Sequence, residues 1–92
     1  MLKPEFTTQF KRDYKQAVKR GFDPQKLSAI VGLLCEEKPL PAACRDHALT
    51  NSRGYKEMRE CHIQPDWLLV YKAERDTLIL KLIRTGSHSD LF

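Results

Sequence analysis

The sequence predicts an α+β domain of order β-α-α-β-β-β, an antiparallel sheet with a two-helix hairpin packed on one face. Three observations carry that expectation. Residues 7–38 hold two apolar stripes at helical spacing, each preceded by a capping residue. Residues 55–84 hold three strand-like runs separated by short turns. Ninety-two residues are enough for one domain with one modest core, so 1–92 is read as a single unit.

Leu2 to Phe6 is short and extended, and Pro4 confines it to an edge or an early strand position. From Thr7 or Thr8, as N-cap, the pattern turns helical, with Phe10, Tyr14, Ala17 and Val18 on one stripe. Lys11, Arg12, Lys15, Lys19 and Arg20 cover the rest of that helix, and Gly21 stops it. Asp23-Pro24 starts a second helix as N-cap and N1 residue, and Leu27, Ile30, Val31, Leu34 and Cys35 form its apolar stripe. The short link makes the two an antiparallel hairpin. A loop follows from Pro39 to Gly54, whose tip, Thr50 to Gly54, reads as flexible; connections of about 15 residues in small domains are often functional.

Three strands are expected over Tyr55–Ile63, Trp67–Glu74 and Thr77–Arg84, with Glu74-Arg75-Asp76 turning between the last two. Leu78, Leu80 and Leu82 should face the core, and Ile79, Lys81 and Ile83 the other side. Cys61 and Ile63 are core positions in the first of these strands, which leaves His62 and Glu60 on the face away from the helices. In the turn Gln64-Pro65-Asp66-Trp67, Pro65 presets the first corner and Asp66 tolerates the second. Gly86 is read as the break that ends the sheet and begins a tail.

Composition excludes several classes. No apolar run reaches the roughly 20 residues of a membrane helix, and the chain opens without a secretory signal, so a cytoplasmic protein with no membrane partner is expected. Cys35, Cys44 and Cys61 form an odd set without a CxxC pair, which fits a reducing compartment. Cys61 and His62 are strand neighbours that point to opposite faces, so no metal site is expected from them. A formal charge of +4 favours an anionic partner, nucleic acid foremost.

All three histidines fall at breaks in regular structure: His47 in the long loop, His62 at a strand end, His88 in the tail. An imidazole titrates near neutrality, so one can take a proton while another gives one. RNA cleavage by the ribose 2′-OH needs that pairing, plus a cation at the crowded phosphate. Arg59 and Arg84 are the cations placed for that task, and Asp66 is placed to orient a histidine.

Three blocks carry a resemblance: Asp46-His47-Ala48-Leu49, then Arg59-Glu60-Cys61-His62-Ile63-Gln64-Pro65-Asp66-Trp67-Leu68-Leu69-Val70-Tyr71, then Arg84-Thr85-Gly86-Ser87-His88-Ser89-Asp90-Leu91-Phe92. In this order, and across nearly the whole chain, the sequence resembles the YafQ toxins of the RelE/ParE toxin–antitoxin superfamily. The resemblance implies a RelE-like fold and a ribosome-dependent endoribonuclease that cuts mRNA in the decoding site without a metal or other cofactor. It implies a cognate antitoxin encoded nearby, and contact with operator DNA only through the toxin–antitoxin complex. It places the acid–base set on His47, His62, Asp66 and His88, with Trp67 and Phe92 in the substrate groove. The order of base and acid among the histidines is left open, with His88 taken as the acid. Two other classes share parts of the pattern: a basic RNA- or protein-binding module without chemistry, and a gyrase-inhibiting toxin on the same scaffold. Neither needs three imidazoles and a carboxylate around one groove, since Arg and Lys suffice for phosphate contacts.

Overall fold

Thr7 starts the first helix by accepting the Phe10 N–H on its hydroxyl oxygen at 2.9 Å, and the same hydroxyl donates to the Ile83 carbonyl at 2.8 Å. The computed structural model describes residues 1–49 and 57–92; the loop tip at Thr50–Gly54 therefore lies outside the described residues. The elements are β1 (Lys3–Phe6), α1 (Thr8–Lys19), α2 (Pro24–Cys35), a 3₁₀ turn (Ala42–Cys44), β2 (His47–Ala48), β3 (Arg59–Gln64), β4 (Trp67–Glu74), β5 (Ile79–Gly86) and α3 (His88–Leu91). Both long helices begin as their sequences dictate: Asp23 caps α2 by accepting the Gln25 N–H, and Pro24 occupies its first turn. Gly21 follows α1 at a φ of +91°, where a side chain would be strained.

The described residues form one sheet of order β1-β5-β4-β3-β2. β2 to β5 are antiparallel neighbours, while β1 runs parallel to β5 and makes the sheet mixed at that edge. Lys3 donates its amide to the carbonyl of Leu78, just before β5, and Thr7 donates to Leu82 within it. Pro4, between them, lies where an N–H would face away from the sheet, so its missing donor breaks no pairing.

α1 and α2 cover one face. Phe10, Ala17, Leu27, Ile30 and Leu34 pack there on Trp67, Leu69, Tyr71, Leu80 and Leu82 of the sheet. Val18, read as part of the α1 stripe, is 42% exposed at its margin. Leu78 is a correction: it sits at φ +56°, closes the β4–β5 turn and is 55% exposed, so the inward alternation begins only at Leu80. Cys35, Cys44 and Cys61 are free thiols, all buried, and burial raises the pKa of each. No helix among the described residues is long and apolar enough to cross a membrane.

Among the described residues, the opposite face is covered only in part. Leu68 and Val70 are fully buried beneath Leu49 and Leu91, with Met58 and Ile83 at the margin. Leu91 belongs to α3, which the sequence reading treated as tail. The strand continues through Gly86, and Ser87 then starts a new turn with a capping box. The Ser87 hydroxyl oxygen accepts the Asp90 N–H at 3.2 Å, and the Asp90 carboxylate accepts the Ser87 N–H at 2.9 Å.

Candidate active site

Strand register brings the histidines onto the sheet face away from the helices. One cross-strand row reads His47, Glu60, Val70, Arg84, and the next reads His62, Leu68, Gly86. Residues in register across a sheet share a face, with neighbouring strands about 4.8 Å apart. Bulges interrupt the ladder at Ile63, between His62 and Gln64, and at Ile83, before Arg84. Each re-aims a site side chain where a regular strand would continue its alternation.

The first corner of the site is His47, Glu60 and His62. Glu60 is only 5% exposed, and its Oε1 lies 3.5 Å from His47 Nε2 and 3.8 Å from His62 Nε2. These separations exceed a direct hydrogen bond and set the carboxylate as a charge close to both rings. Carbonyl oxygens fix both rings from behind. His47 Nδ1 faces the Arg45 carbonyl at 2.7 Å, and His62 Nδ1 faces the Pro65 carbonyl at 3.2 Å. A carbonyl only accepts, so each Nδ1 carries a proton and each Nε2 is left to exchange one beside the carboxylate. Glu60 is the site member that reading the sequence for imidazoles missed. Its signal was its place two residues before His62, hence on the same strand face.

His47 stands on a strand of two residues, which a separate network holds. Arg45 adopts φ +48°, a left-handed conformation that turns its carbonyl to the ring. Asp46 accepts from Arg59 Nε at 3.2 Å and from the Tyr71 hydroxyl at 2.5 Å. Burial, then Asp46, raises the Tyr71 phenol well above its ordinary value, and the Asp46 hydrogen bond raises Arg59.

The second corner is α3. Leu91 seats the turn on Leu68 and Val70, so His88 stands on the same face as His62. His88 is exposed, its ring nitrogens have no hydrogen-bond partner among the described residues, and its ring centroid is 5.3 Å from that of Phe92. The Asp66 carboxylate accepts the His88 backbone N–H at 3.4 Å. Phe92 is 47% exposed at the rim.

Set against the sequence, His47 and His62 share one carboxylate, and His88, Asp66 and Phe92 form a second group on α3 and the turn before β4. Asp66 does not meet His62, as the hairpin alone suggested: the turn reaches that ring through the Pro65 carbonyl, and Asp66 reaches the His88 backbone. Trp67 does not reach the groove. It is 1% exposed on the helix side, stacked on Phe22 at 4.8 Å and 9°, and its Nε1–H donates to Thr85 Oγ1 at 2.8 Å. Strand parity explains it, because Trp67 adjoins Leu68, which faces the site. Arg59 shares its row with Tyr71 on the helix side and is held by Asp46. Arg84 is in the His47 row, yet Asp13 of α1 grips its guanidinium with two bonds of 3.0 Å.

Known proteins match this chain and its fold. A family described as the bacterial toxin of type II toxin–antitoxin systems, YafQ, fits residues 2–92. The mRNA interferase toxin YafQ of Escherichia coli (strain B / BL21-DE3) is 42% identical over 89 residues, which span 96% of this chain and 92% of that protein. A metal-bound toxin from Helicobacter pylori is 46% identical with a TM-score of 0.92 over the whole of both chains. YafQ in the E. coli DinJ–YafQ complex is 40% identical with a TM-score of 0.86, covering all of this chain and 99% of that one. A small α+β scaffold with paired imidazoles on its open face is thus the scaffold of a bacterial toxin. The chain belongs to the YafQ family of type II toxin–antitoxin toxins.

Proposed function

We propose that the chain is an mRNA interferase that cuts mRNA in the ribosomal decoding site by acid–base chemistry on its open sheet face. The observation that supports this most directly is the pair of Nε2 atoms, on His47 and His62, set against one buried carboxylate. In the reaction the ribose 2′-oxygen attacks the adjacent phosphorus, its proton leaves to a base, and the P–O5′ bond breaks as an acid protonates the departing 5′-oxygen. The products are a 2′,3′-cyclic phosphate and a 5′-hydroxyl end. The strand corner takes the base role, because Glu60 stabilises an imidazole that has gained the proton. His88 takes the acid role, because its ring nitrogens are exposed and open to the leaving oxygen. Asp66 holds the turn that carries it, and Phe92 offers its face to an unstacked base. Arg84, braced by Asp13, is the cation in the His47 row.

A neighbouring antitoxin is the expected partner, as DinJ is in the E. coli complex, and operator DNA is reached through that complex. A chain that acts on translating ribosomes belongs in the cytoplasm, the compartment this reading expects.

The test is single-turnover cleavage of a reporter mRNA on programmed ribosomes, with 5′ ends mapped. The parent chain should cut within the decoding site and leave a 5′-hydroxyl, and His88→Ala should be slower by about 10² to 10⁴. Equal cutting by a folded His62→Ala/His88→Ala double variant would remove the acid–base assignment to these histidines, and a parent chain that binds ribosomes without cutting would be a binding module.

A further inference from the structure

Arg20, Gly86 and Asp90 flank the second corner and take no part in the steps above. Arg20 caps the C-terminus of α1, and its guanidinium grips Asp90 twice, Nη1 to Oδ2 at 2.6 Å and Nη2 to Oδ1 at 3.3 Å. The same carboxylate closes the capping box on Ser87. Asp90 also leans on Gly86, where an added Cβ would lie 3.0 Å from Asp90 Oδ2 and 3.1 Å from its Cβ.

A helix of four residues is not stable by itself, because its single turn fixes several dihedrals for almost no internal bonding. The orientation of α3 is therefore set by its outside contacts. Leu91 fixes its depth on the sheet but, as one apolar contact, leaves it free to swivel. The Asp66 bond to its backbone is long, at 3.4 Å. Asp90 supplies a further constraint, a double ion-pair contact at the far side of the turn. His88 and Phe92, four apart, share one side of the turn, and Asp90, two from each, points to the other. A pull on Asp90 thus sets the direction in which both site rings face. Beside the pair a cavity of about 190 Å³, bounded by Asp13, Gln16 and Arg84 among others, leaves room for α3 to shift once the pair is cut. Two residues after Arg20, Phe22 stacks on Trp67, the neighbour of Asp66. The α1–α2 corner braces both the turn before β4 and the turn after β5.

We propose that Arg20 is a positioning residue which, through Asp90, orients His88 and Phe92 in the groove; the inference rests on the acid–base reading of His88. Single-turnover cleavage is measured for Arg20→Ala, Asp90→Asn, His88→Ala and the Arg20→Ala/His88→Ala double variant, with ribosome affinity and Tm recorded for each. Arg20→Ala and Asp90→Asn should each slow cleavage roughly tenfold, since small misplacements of reacting groups carry large rate penalties. Affinity and Tm should stay near the parent's, Arg20→Lys should recover part of the rate, and Arg20→Ala should add less once His88 is gone, only the part carried by Phe92 remaining. The ring NMR signals of His88 should move on Arg20→Ala while those of His47 and His62 hold still. A slow Arg20→Ala beside a parental Asp90→Asn would mean that Arg20 touches RNA directly, which overturns the inference. So would an Arg20→Ala penalty that persists in full without His88, or unmoved His88 ring signals. A slow His88→Ala with a parental Arg20→Ala removes this inference alone, whereas a parental His88→Ala removes the acid–base reading and the inference with it.

Discussion

The two corners of the site are held by different physics. His47, Glu60 and His62 stand on strands whose register and fully buried neighbours fix them, and Glu60 is itself almost enclosed. His88 and Phe92 stand on one exposed turn, held by a capping box, an ion pair and one leucine. A sheet row tolerates little displacement without breaking paired hydrogen bonds, whereas a capped turn can swivel. The strand corner therefore resembles a fixed floor and the turn an adjustable wall, and loss of a side chain should read differently on each.

The largest effect expected is loss of an imidazole. His62→Ala and His88→Ala should each lower cleavage by about 10² to 10⁴ in single-turnover assays. A drop confined to His88 would mean that the strand corner only binds. Next comes Glu60→Gln, which keeps the volume between the two rings and removes the charge. It should slow cleavage roughly 10- to 100-fold, as loss of a partner that orients reacting groups does, while thermal unfolding shows the fold intact. An unchanged rate would reduce Glu60 to a packing residue. Phe92→Ala should slow cleavage roughly 5- to 150-fold, matching a stacking contribution of about 1–3 kcal/mol, with Phe92→Tyr or Phe92→Trp close to parental.

Two smaller effects concern the supports. Trp67→Phe should lower unfolding stability in urea by about 1–3 kcal/mol, through the lost Thr85 bond and lost volume, and leave the rate per folded molecule unchanged. A slowed rate at full stability would return Trp67 to the substrate groove. The smallest effect follows the Asp90 carboxyl, which the Arg20 hydrogen bond, then the Ser87 bonds, hold well below its ordinary value of 3.8. A carboxyl depressed in the folded state stabilises above its ordinary value and loses that contribution as pH falls toward the folded one. The gap in urea midpoint between parent and Asp90→Asn should be small at pH 7, as for exposed ion pairs, and should close below about pH 4.

The sequence made the strand corner largely legible. Period-two alternation placed His62 and Glu60 together away from the helices, and Pro65 announced the turn beside them. Helix caps at Thr7 and Asp23 were equally plain, because capping chemistry is local. What stayed hidden depends on contacts between distant residues. Nothing near Lys3 says that β1 will join β5 in parallel. The two residues of β2 have too short a run to show a period, and the Arg59–Asp46–Tyr71 network that holds them spans 25 positions. Trp67 reads as a site residue by its company, and only the parity of β4 sends it inward. Of α3, the Ser87-x-x-Asp90 box was a readable start signal. The partner that steadies it, Arg20, lies 70 positions upstream.

That separation also bears on how quickly the molecule becomes active. β3 and β4 join through a two-residue turn, a pairing of the microsecond class that brings His62 to its place early. β1 meets β5 across most of the chain, and the Thr7–Ile83 bond spans 76 positions, so these contacts wait on the slow closure of a large loop. Asp90 has nothing to dock on until α1 is packed against β5. A refolding chain therefore passes through a stage with the strand corner assembled and α3 still loose. Cleavage should return with the slowest refolding phase, later than the β-sheet signal.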